Sequence, residues 1–401
     1  MRGRWPQRFI PSLLALMIVG VSLSGTAAAM PHAAPQDTAK AGKSAKGGDA
    51  GEAKVKKEKK TRTPEEEAKR TSKRAEKAEK LPLFNSLQPL AFSLIANFGD
   101  ISKDRDTLSK KQFDGKIVVK DDSGAERMIP VKLRTRGHFR LMSRNCRFVN
   151  MLVSFPKKET KGTPFDDQKD LKLGSHCQND GRYEQYLLKE YLAYRLYHQV
   201  TDVSFRTRLS TATYVDAESG RTLETKPAFW IENEDDVAAR SDGEMKTLRR
   251  ALFDDVDPEA LDNMLIYAYA IGNTDWSVHA LHNVRLIRQD NGTVLTVPYD
   301  FDFSGLVDTH YASTDPSLPI RDVRQRLYRG ACRTPEVMQE RLELWRTRKD
   351  SVLAEVDHLP GLDGREARHA KEYLGEFFKT IASPRDVKRD LIDGCLSKPG
   401  A

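Results

Sequence analysis

Alternating apolar and polar positions in the first half of the chain predict antiparallel strands. Residues 115–120 and 128–136 flank the turn at 121–124 (Asp-Asp-Ser-Gly), which is the pattern of a β-hairpin. A second antiparallel pair is predicted from residues 209–214 and 227–232. The first half of the chain is therefore predicted to be mainly β-structure.

Apolar residues recur at steps of three or four in other segments and predict helices. The first runs over residues 182–199, where an aromatic and apolar stripe is expected to pack in the core. Asp257-Pro258 has the residue types of an N-cap and a first helical position, and begins a helix to about residue 270. Further helices are predicted at about 335–357, 364–381 and 384–395. The second half is mainly helical.

One hairpin interrupts the helical half. Residues 283–288 and 293–301 flank Asp290-Asn291-Gly292, a strong short turn signal. The expected fold class is α+β in two lobes: a β-rich N-lobe over residues 81–235, and an α-rich C-lobe over residues 236–401 that carries the hairpin. About 320 residues are enough for two lobes with a cleft between them.

The first 29 residues have the order of a cleavable signal peptide. Arg2, Arg4 and Arg8 precede an apolar run, which ends in small residues, with a cut expected after Ala29. The run is too short to span about 30 Å of hydrocarbon. The mature protein is predicted to be secreted or periplasmic, with no transmembrane span.

Residues 30–80 are predicted to be a charged, disordered tether, partly helical from Pro64. The first 80 residues hold 18 of the 66 Lys and Arg and 9 of the 58 Asp and Glu, leaving 48 and 49 for the rest. The globular part is thus near neutral, which argues against a nucleic-acid partner. The basic tether is either a solvated spacer or a contact to an anionic envelope.

Four cysteines in an exported chain suggest two disulfides with three possible connectivities. Pairing by proximity joins Cys146 to Cys177 and Cys332 to Cys395. None has the close spacing of a zinc knuckle.

The densest cluster of candidate catalytic residues surrounds the C-lobe hairpin. Asp275 follows a helix, Asn283 opens the hairpin, and Asp300 and Asp302 close it. Strand periodicity would put both of these carboxylates on one face, beside Asn283. Oxygen ligands of this kind suit Mg²⁺ or Mn²⁺.

Phosphoryl transfer requires a carboxylate that orients the acceptor hydroxyl and metal ligands that neutralise phosphate charge. Asp275 fits the first role. Asn283 and Asp300 fit the second, with Asp302 as a possible further ligand.

At these residues the chain resembles the CotH-like secreted kinases, atypical protein kinases related in fold to HipA-type and lipid-kinase-like enzymes. The resemblance covers about residues 83–335. It rests on five short segments in the same order: Lys132-Leu133-Arg134-Thr135-Arg136-Gly137, Leu171-Lys172-Leu173-Gly174-Ser175, Ala228-Phe229-Trp230-Ile231-Glu232, Gly272-Asn273-Thr274-Asp275-Trp276 and Pro298-Tyr299-Asp300-Phe301-Asp302.

The resemblance implies an atypical protein-kinase-like fold with ATP between the lobes, and phosphate transfer to a protein hydroxyl in the envelope or outside the cell. AMP transfer is an alternative. Asp275 would be catalytic and Asn283 and Asp300 would bind the metal, while Glu232 and Asn233 would lie near the adenine. Lys172 is the preferred candidate for the basic contact to the phosphates, and Arg136 and Lys157 are the alternatives.

Two other function classes stay open. One is a pseudokinase or envelope-binding module that keeps the fold without turnover. The other is a metal-dependent hydrolase: His279 and His282 would share one side of a helix and bind zinc together with Asp275. Metal preference distinguishes this hydrolase from a kinase.

Overall fold

Seven strands form a closed barrel in the computed structural model, which describes residues 63–248 and 250–396. The order around the barrel is β1-β2-β3-β4-β5-β7-β6. Neighbouring strands are antiparallel, apart from β6, which returns parallel to β1 and closes the barrel. The strands are β1 Leu90–Ala96, β2 Phe113–Lys120, β3 Glu126–Arg136, β4 Asn150–Ser154, β5 Asp170–Gly174, β6 Thr207–Asp216 and β7 Thr222–Ile231.

Both predicted hairpins of the first half are confirmed as β2–β3 and β6–β7. Alternate residues of the strands point into the barrel, where Trp230, Leu94 and Leu133 are fully buried. Gly174 allows the ring of Phe229 to approach, since a Cβ atom at this position would lie 2.7 Å from it. The interior is a packed core. Because the barrel is closed, none of its seven strands is left as a sheet edge.

A second, three-stranded sheet with the order β10-β9-β8 lies after the barrel in the chain. The strands β9 and β10 are the predicted hairpin around Asp290-Asn291-Gly292. The strands are β8 Gly243–Lys246, β9 Val284–Gln289 and β10 Val294–Pro298; the helices are α1 Pro64–Glu79, α2 Phe98–Ile101, α3 Gly181–His198, α4 Glu234–Arg240, α5 Pro258–Ile271, α6 Pro335–Thr347, α7 Lys349–Asp357, α8 Gly364–Ala382 and α9 Pro384–Val387.

Helix α5 lies in a hydrophobic cluster with α3, α6, α8 and strands β9 and β10. Asp257 caps α5 as predicted, because its side chain accepts a hydrogen bond from the backbone N–H of Ala260 at 2.8 Å. The single helix predicted over 335–357 is divided at Arg348 into α6 and α7. The barrel interior forms a separate cluster.

The expectation of a two-lobed, kinase-like fold is wrong. The β-rich part is a closed seven-stranded barrel rather than an open kinase N-lobe, and a separate small sheet accompanies the helices. Closure depends on the pairing of Leu90 with Ser210 and of the residues that follow each of them. A contact between segments more than 100 residues apart leaves no local pattern in the sequence.

Residues 64–79 of the predicted tether form α1, which packs on the folded domain. The guanidinium of Arg206 donates hydrogen bonds to the carbonyl oxygens of Ala78, at 2.6 Å, and Glu79, at 3.1 Å. The Thr71 hydroxyl also bonds to Asp290. The predicted signal peptide and the tether up to residue 62 lie outside the described residues.

Both predicted disulfides are present, joining Cys146 to Cys177 and Cys332 to Cys395. They are compatible with the oxidising conditions of an extracellular or periplasmic location. Among residues 63–248 and 250–396, no helix has the length and apolar character needed to cross a membrane.

Candidate active site

Two loops meet at the end of α5. Gly272 ends the helix with a φ of 64°, a left-handed conformation that glycine adopts without strain. The N–H of Gly305 donates to the carbonyl of Gly272 at 3.1 Å, and that of Leu306 donates to Ile271 at 3.0 Å. The loop that contains Asp275 is therefore held against the loop that follows β10.

Asp275 is in direct contact with Asn283. The amide nitrogen of Asn283 donates to the Asp275 carbonyl at 2.8 Å and to its Oδ2 at 3.0 Å. His282 Nε2 lies 2.8 Å from the other carboxylate oxygen, and this hydrogen bond raises the pKa of His282. Because Asn283 uses its nitrogen here, its Oδ1 is left as a ligand for a cation.

Asp300 lies beside this pair. The N–H of Tyr299 donates to the Asn283 carbonyl at 3.0 Å, and the N–H of Asp300 donates to the Tyr194 hydroxyl at 3.0 Å. Its φ is 62°, an uncommon conformation for a residue other than glycine, of the kind that often marks a functional site. The Asp300 carboxylate forms no hydrogen bond with any described residue, and is free to bind a cation.

Asp302 is buried, and points toward α3. Its Oδ2 accepts a hydrogen bond from the Tyr311 hydroxyl at 3.1 Å and lies 3.8 Å from Arg140. Burial, and then the charges of Asp300 and Glu190, raise its pKa well above the ordinary value. Strand β10 ends at Pro298, so the premise that Asp300 and Asp302 share a strand face is wrong. The same burial disfavours the ionised form that a metal ligand needs.

Arg140 and Glu190 complete a buried polar network that the sequence did not indicate. Arg140 lies 3.1 Å from Glu190, and donates to the Ser175 carbonyl at 2.7 Å and to Asn150 at 3.4 Å. Burial raises the pKa of Glu190 to about 7, although Arg140 opposes the shift. Glu190 lies on α3 next to Tyr191 of the predicted core stripe, so the helical pattern alone did not distinguish it.

Glu190 is expected to make the stability of the protein depend on pH. Its folded-state pKa is above the ordinary value of 4.5, so the folded protein holds more protons between pH 4.5 and 7. The free energy of unfolding therefore falls as pH rises through this window, by at most about 3 kcal/mol from this group, and is level above it. Urea unfolding at pH 5 and 7.5 measures the difference.

Glu190→Gln should reduce this pH dependence, leaving the share that comes from Asp302. Glu372→Gln, which changes an exposed carboxylate on α8, is the control and should unfold like the parent. An equal pH dependence in Glu190→Gln and the parent would contradict the raised pKa.

The three candidate phosphate contacts differ in their partners. Lys172 Nζ lies 2.6 Å from Glu234, and burial lowers its pKa. Lys157 is exposed and lies 3.8 Å from Asp167. Arg136 forms no ion pair with any described residue, and its Nε is buried without a hydrogen-bond partner.

Arg136 also lies near the carboxylates of the site. It lowers the pKa of Glu190, and it contributes to lowering that of Lys172, which places its charge close to both groups. Its guanidinium thus has no ion-pair partner among the described residues, whereas Lys172, the preferred candidate, is already neutralised by Glu234.

Glu232 and Asn233 take part in structural contacts. The fully buried Glu232 carboxylate accepts hydrogen bonds from Arg206 and Arg240, with distances between 2.7 and 3.0 Å. Asn233 caps α4 by accepting from the Asp235 N–H at 2.8 Å. Their expected place near an adenine stays a prediction.

The zinc alternative required His279 and His282 to lie on one face of a helix, and they do not. The segment between Ser277 and His282 is a tight loop, closed by two backbone hydrogen bonds of 2.9 Å, and His279 is exposed. In the described part of the chain, no group of three or more His, Cys, Asp or Glu side chains is arranged to hold a metal ion.

Fold and site together define an α+β protein with a closed seven-stranded barrel and a centre of carboxylate, amide and guanidinium groups. A scan against protein-family models finds no match, and a search of curated proteins finds no similar sequence.

Proposed function

We propose that this protein is a phosphotransferase that moves the γ-phosphoryl group of ATP to an acceptor hydroxyl with Mg²⁺ or Mn²⁺. The observation that carries the proposal is the hydrogen bond from Asn283 to Asp275, together with Asp300 close enough that both carboxylates raise the pKa of their shared neighbour His282. It rests on these residues alone, since the expected kinase-like fold is absent.

The three residues divide two roles between them. Asp275 orients the acceptor hydroxyl and takes its proton. The Asn283 Oδ1 and the Asp300 carboxylate would hold the cation, which when bound neutralises charge on the phosphates. Two oxygen donors fit Mg²⁺, since this ion keeps several waters and is commonly bound through one or two protein carboxylates and the substrate phosphates.

A thermal shift tests the nucleotide site. The melting temperature of the full chain should rise with ATP and Mn²⁺, because a ligand that binds only the folded state adds about 2.7 kcal/mol of stability at 100 times its Kd. Asp300→Asn should lose the rise. Asp254→Asn, at an exposed position, should keep it.

No shift with ATP and either metal, from a folded protein, would contradict the proposal. A shift that persists in Asp300→Asn would remove Asp300 from the metal site. A shift that depends on zinc without nucleotide would favour the hydrolase.

Arg136→Met is expected to weaken ATP binding about tenfold, equivalent to about 1.4 kcal/mol, because the unpaired guanidinium is available to bond a phosphate. Lys172→Met is the matched comparison. It should cost less affinity, since Lys172 is occupied by Glu234. Titration calorimetry with ATP and Mn²⁺ measures both, and a larger loss in Lys172→Met would reverse the assignment.

A further inference from the structure

Six aromatic rings form a partly exposed platform beside the candidate active site. None of them is fully buried, and neighbouring ring centroids lie between 4.9 and 6.3 Å apart. The aromatic platform consists of Phe139, Tyr183, Tyr186, Phe303, His310 and Tyr311; most neighbouring rings meet edge to face, whereas Tyr186 and His310 stack at an interplanar angle of 24°. Three of these rings carry hydroxyl groups and one is an imidazole, so the platform combines apolar faces with polar edges.

A cleft of about 640 Å³ continues from the platform between the N-terminal parts of α3 and α8. Tyr186 belongs to both features. The cleft has no aliphatic side chain in its lining, which includes five carboxylates, three Lys or Arg residues and one His. Several of these groups are held in place; for example, Lys189 lies 2.9 Å from Glu366.

The platform also borders the reaction centre. The Tyr311 hydroxyl donates to Asp302 Oδ2 at 3.1 Å, and the Thr309 hydroxyl donates to the Asp302 carbonyl at 3.1 Å. Asp302 is two residues from Asp300, and their carboxylates interact electrostatically. A ligand lying on the platform would therefore have one end close to the proposed metal site.

We infer that the aromatic platform and its cleft bind a neutral saccharide, and that a hydroxyl of this saccharide is the phosphate acceptor. The second part rests on the proposed function. The C–H bonds on one face of a sugar ring stack on aromatic faces, while the sugar hydroxyls bond to carboxylate, amide and guanidinium groups. A small, mixed-charge site with few apolar contacts beyond the rings offers both kinds of contact.

Two competing ligand types fit the lining less well. An apolar peptide side chain would find no aliphatic surface in the cleft on which to bury itself. A polyanionic polymer would meet five carboxylates against three Lys or Arg side chains.

The transfer step uses groups already assigned. The acceptor oxygen forms a bond to the γ-phosphorus of ATP as the bond from that phosphorus to the β–γ bridging oxygen breaks. The hydroxyl proton passes to Asp275, and ADP leaves with the bridging oxygen.

Saccharide binding is tested without nucleotide, so that it is measured independently of the phosphotransferase. The full chain is titrated in a calorimeter with cellotriose, chitotriose and maltotriose, a serine- and tyrosine-containing tetrapeptide, and a uronic-acid hexasaccharide. At least one neutral trisaccharide should bind. His310→Ala, at an exposed position, and Tyr186→Ala should each weaken this binding at least tenfold.

Two variants act as controls. Tyr186→Phe keeps the ring, and should retain most of the affinity. Phe113→Ala removes a half-buried ring on β2 and should bind the saccharide like the parent.

The outcomes separate the two proposals. Binding of none of the neutral trisaccharides, or binding of only the peptide or the acidic hexasaccharide, overturns the saccharide site. Equal binding by His310→Ala, Tyr186→Ala and the parent overturns the platform as its location. Saccharide binding without an ATP-induced thermal shift supports the platform and removes the transferase.

Discussion

Asp275→Asn is expected to lower the turnover of phosphoryl transfer about 10²- to 10⁴-fold, the range for loss of a general base. The asparagine keeps an oxygen that accepts the hydrogen bond from Asn283, so the loop should retain its conformation. It can no longer take the proton of the acceptor hydroxyl. The measurement is transfer of labelled phosphate from ATP under single-turnover conditions.

The thermal shift with ATP and Mn²⁺ should survive in Asp275→Asn, because the cation is assigned to Asn283 and Asp300. Asp254→Asn should transfer phosphate like the parent. Unchanged turnover in Asp275→Asn would remove Asp275 from the mechanism. A nucleotide-induced shift with no turnover in the parent itself, over a panel of acceptors, would favour the pseudokinase alternative, a binding module without catalysis.

Arg140→Met is expected to lower the free energy of unfolding by about 3–5 kcal/mol at pH 7.5, the range for removal of one partner of a buried ion pair. Methionine fills part of the space but leaves Glu190 and Asp302 buried without their cation. The Ser175 carbonyl also loses its donor. The loss should be smaller at pH 5, because burial favours the protonated form of both carboxyl groups and less charge is then left without a partner. Urea unfolding at the two pH values measures it.

Arg389→Met is the surface control for this prediction. Arg389 lies 2.7 Å from Asp386 but is 61% exposed, so its loss should leave the free energy of unfolding close to that of the parent. The double variant Arg140→Met/Glu190→Gln should recover part of the stability, because it removes one of the two carboxylates that are left without the Arg140 cation. A cost below 1 kcal/mol for Arg140→Met would mean that the network does not stabilise the fold.

The elements that the sequence predicted correctly depend on local interactions. A turn of Asp-Asn-Gly brings β9 and β10 together whatever surrounds them, and Asp257-Pro258 begins α5 by capping its own first turn. The contact between Asp275 and Asn283 was not predicted, although it is also local, since a short loop and the start of one hairpin bring the two residues together. The disulfide pairing followed from separations of 31 and 63 residues.

The prediction of a kinase-like fold was wrong because it concerned contacts between segments that are distant in the chain. The pattern predicts strands and their hairpins but carries no information on whether the first strand meets a strand more than 100 residues later. Three of the five short motifs on which the resemblance rested lie on the barrel strands β3, β5 and β7, and the other two follow α5 and β10. Such short segments do not determine which strands pair.

The sequence by itself determined the hairpins, the helix starts and the disulfides, because each depends on residues close in the chain or on cysteines alone. Only the tertiary structure decided the closed barrel, the burial of Asp302, and the pairing of Arg140 with Glu190 from segments 50 residues apart. These features depend on the removal of charged groups from water and on long-range pairing. Both are properties of the packed fold that no local pattern of residues records.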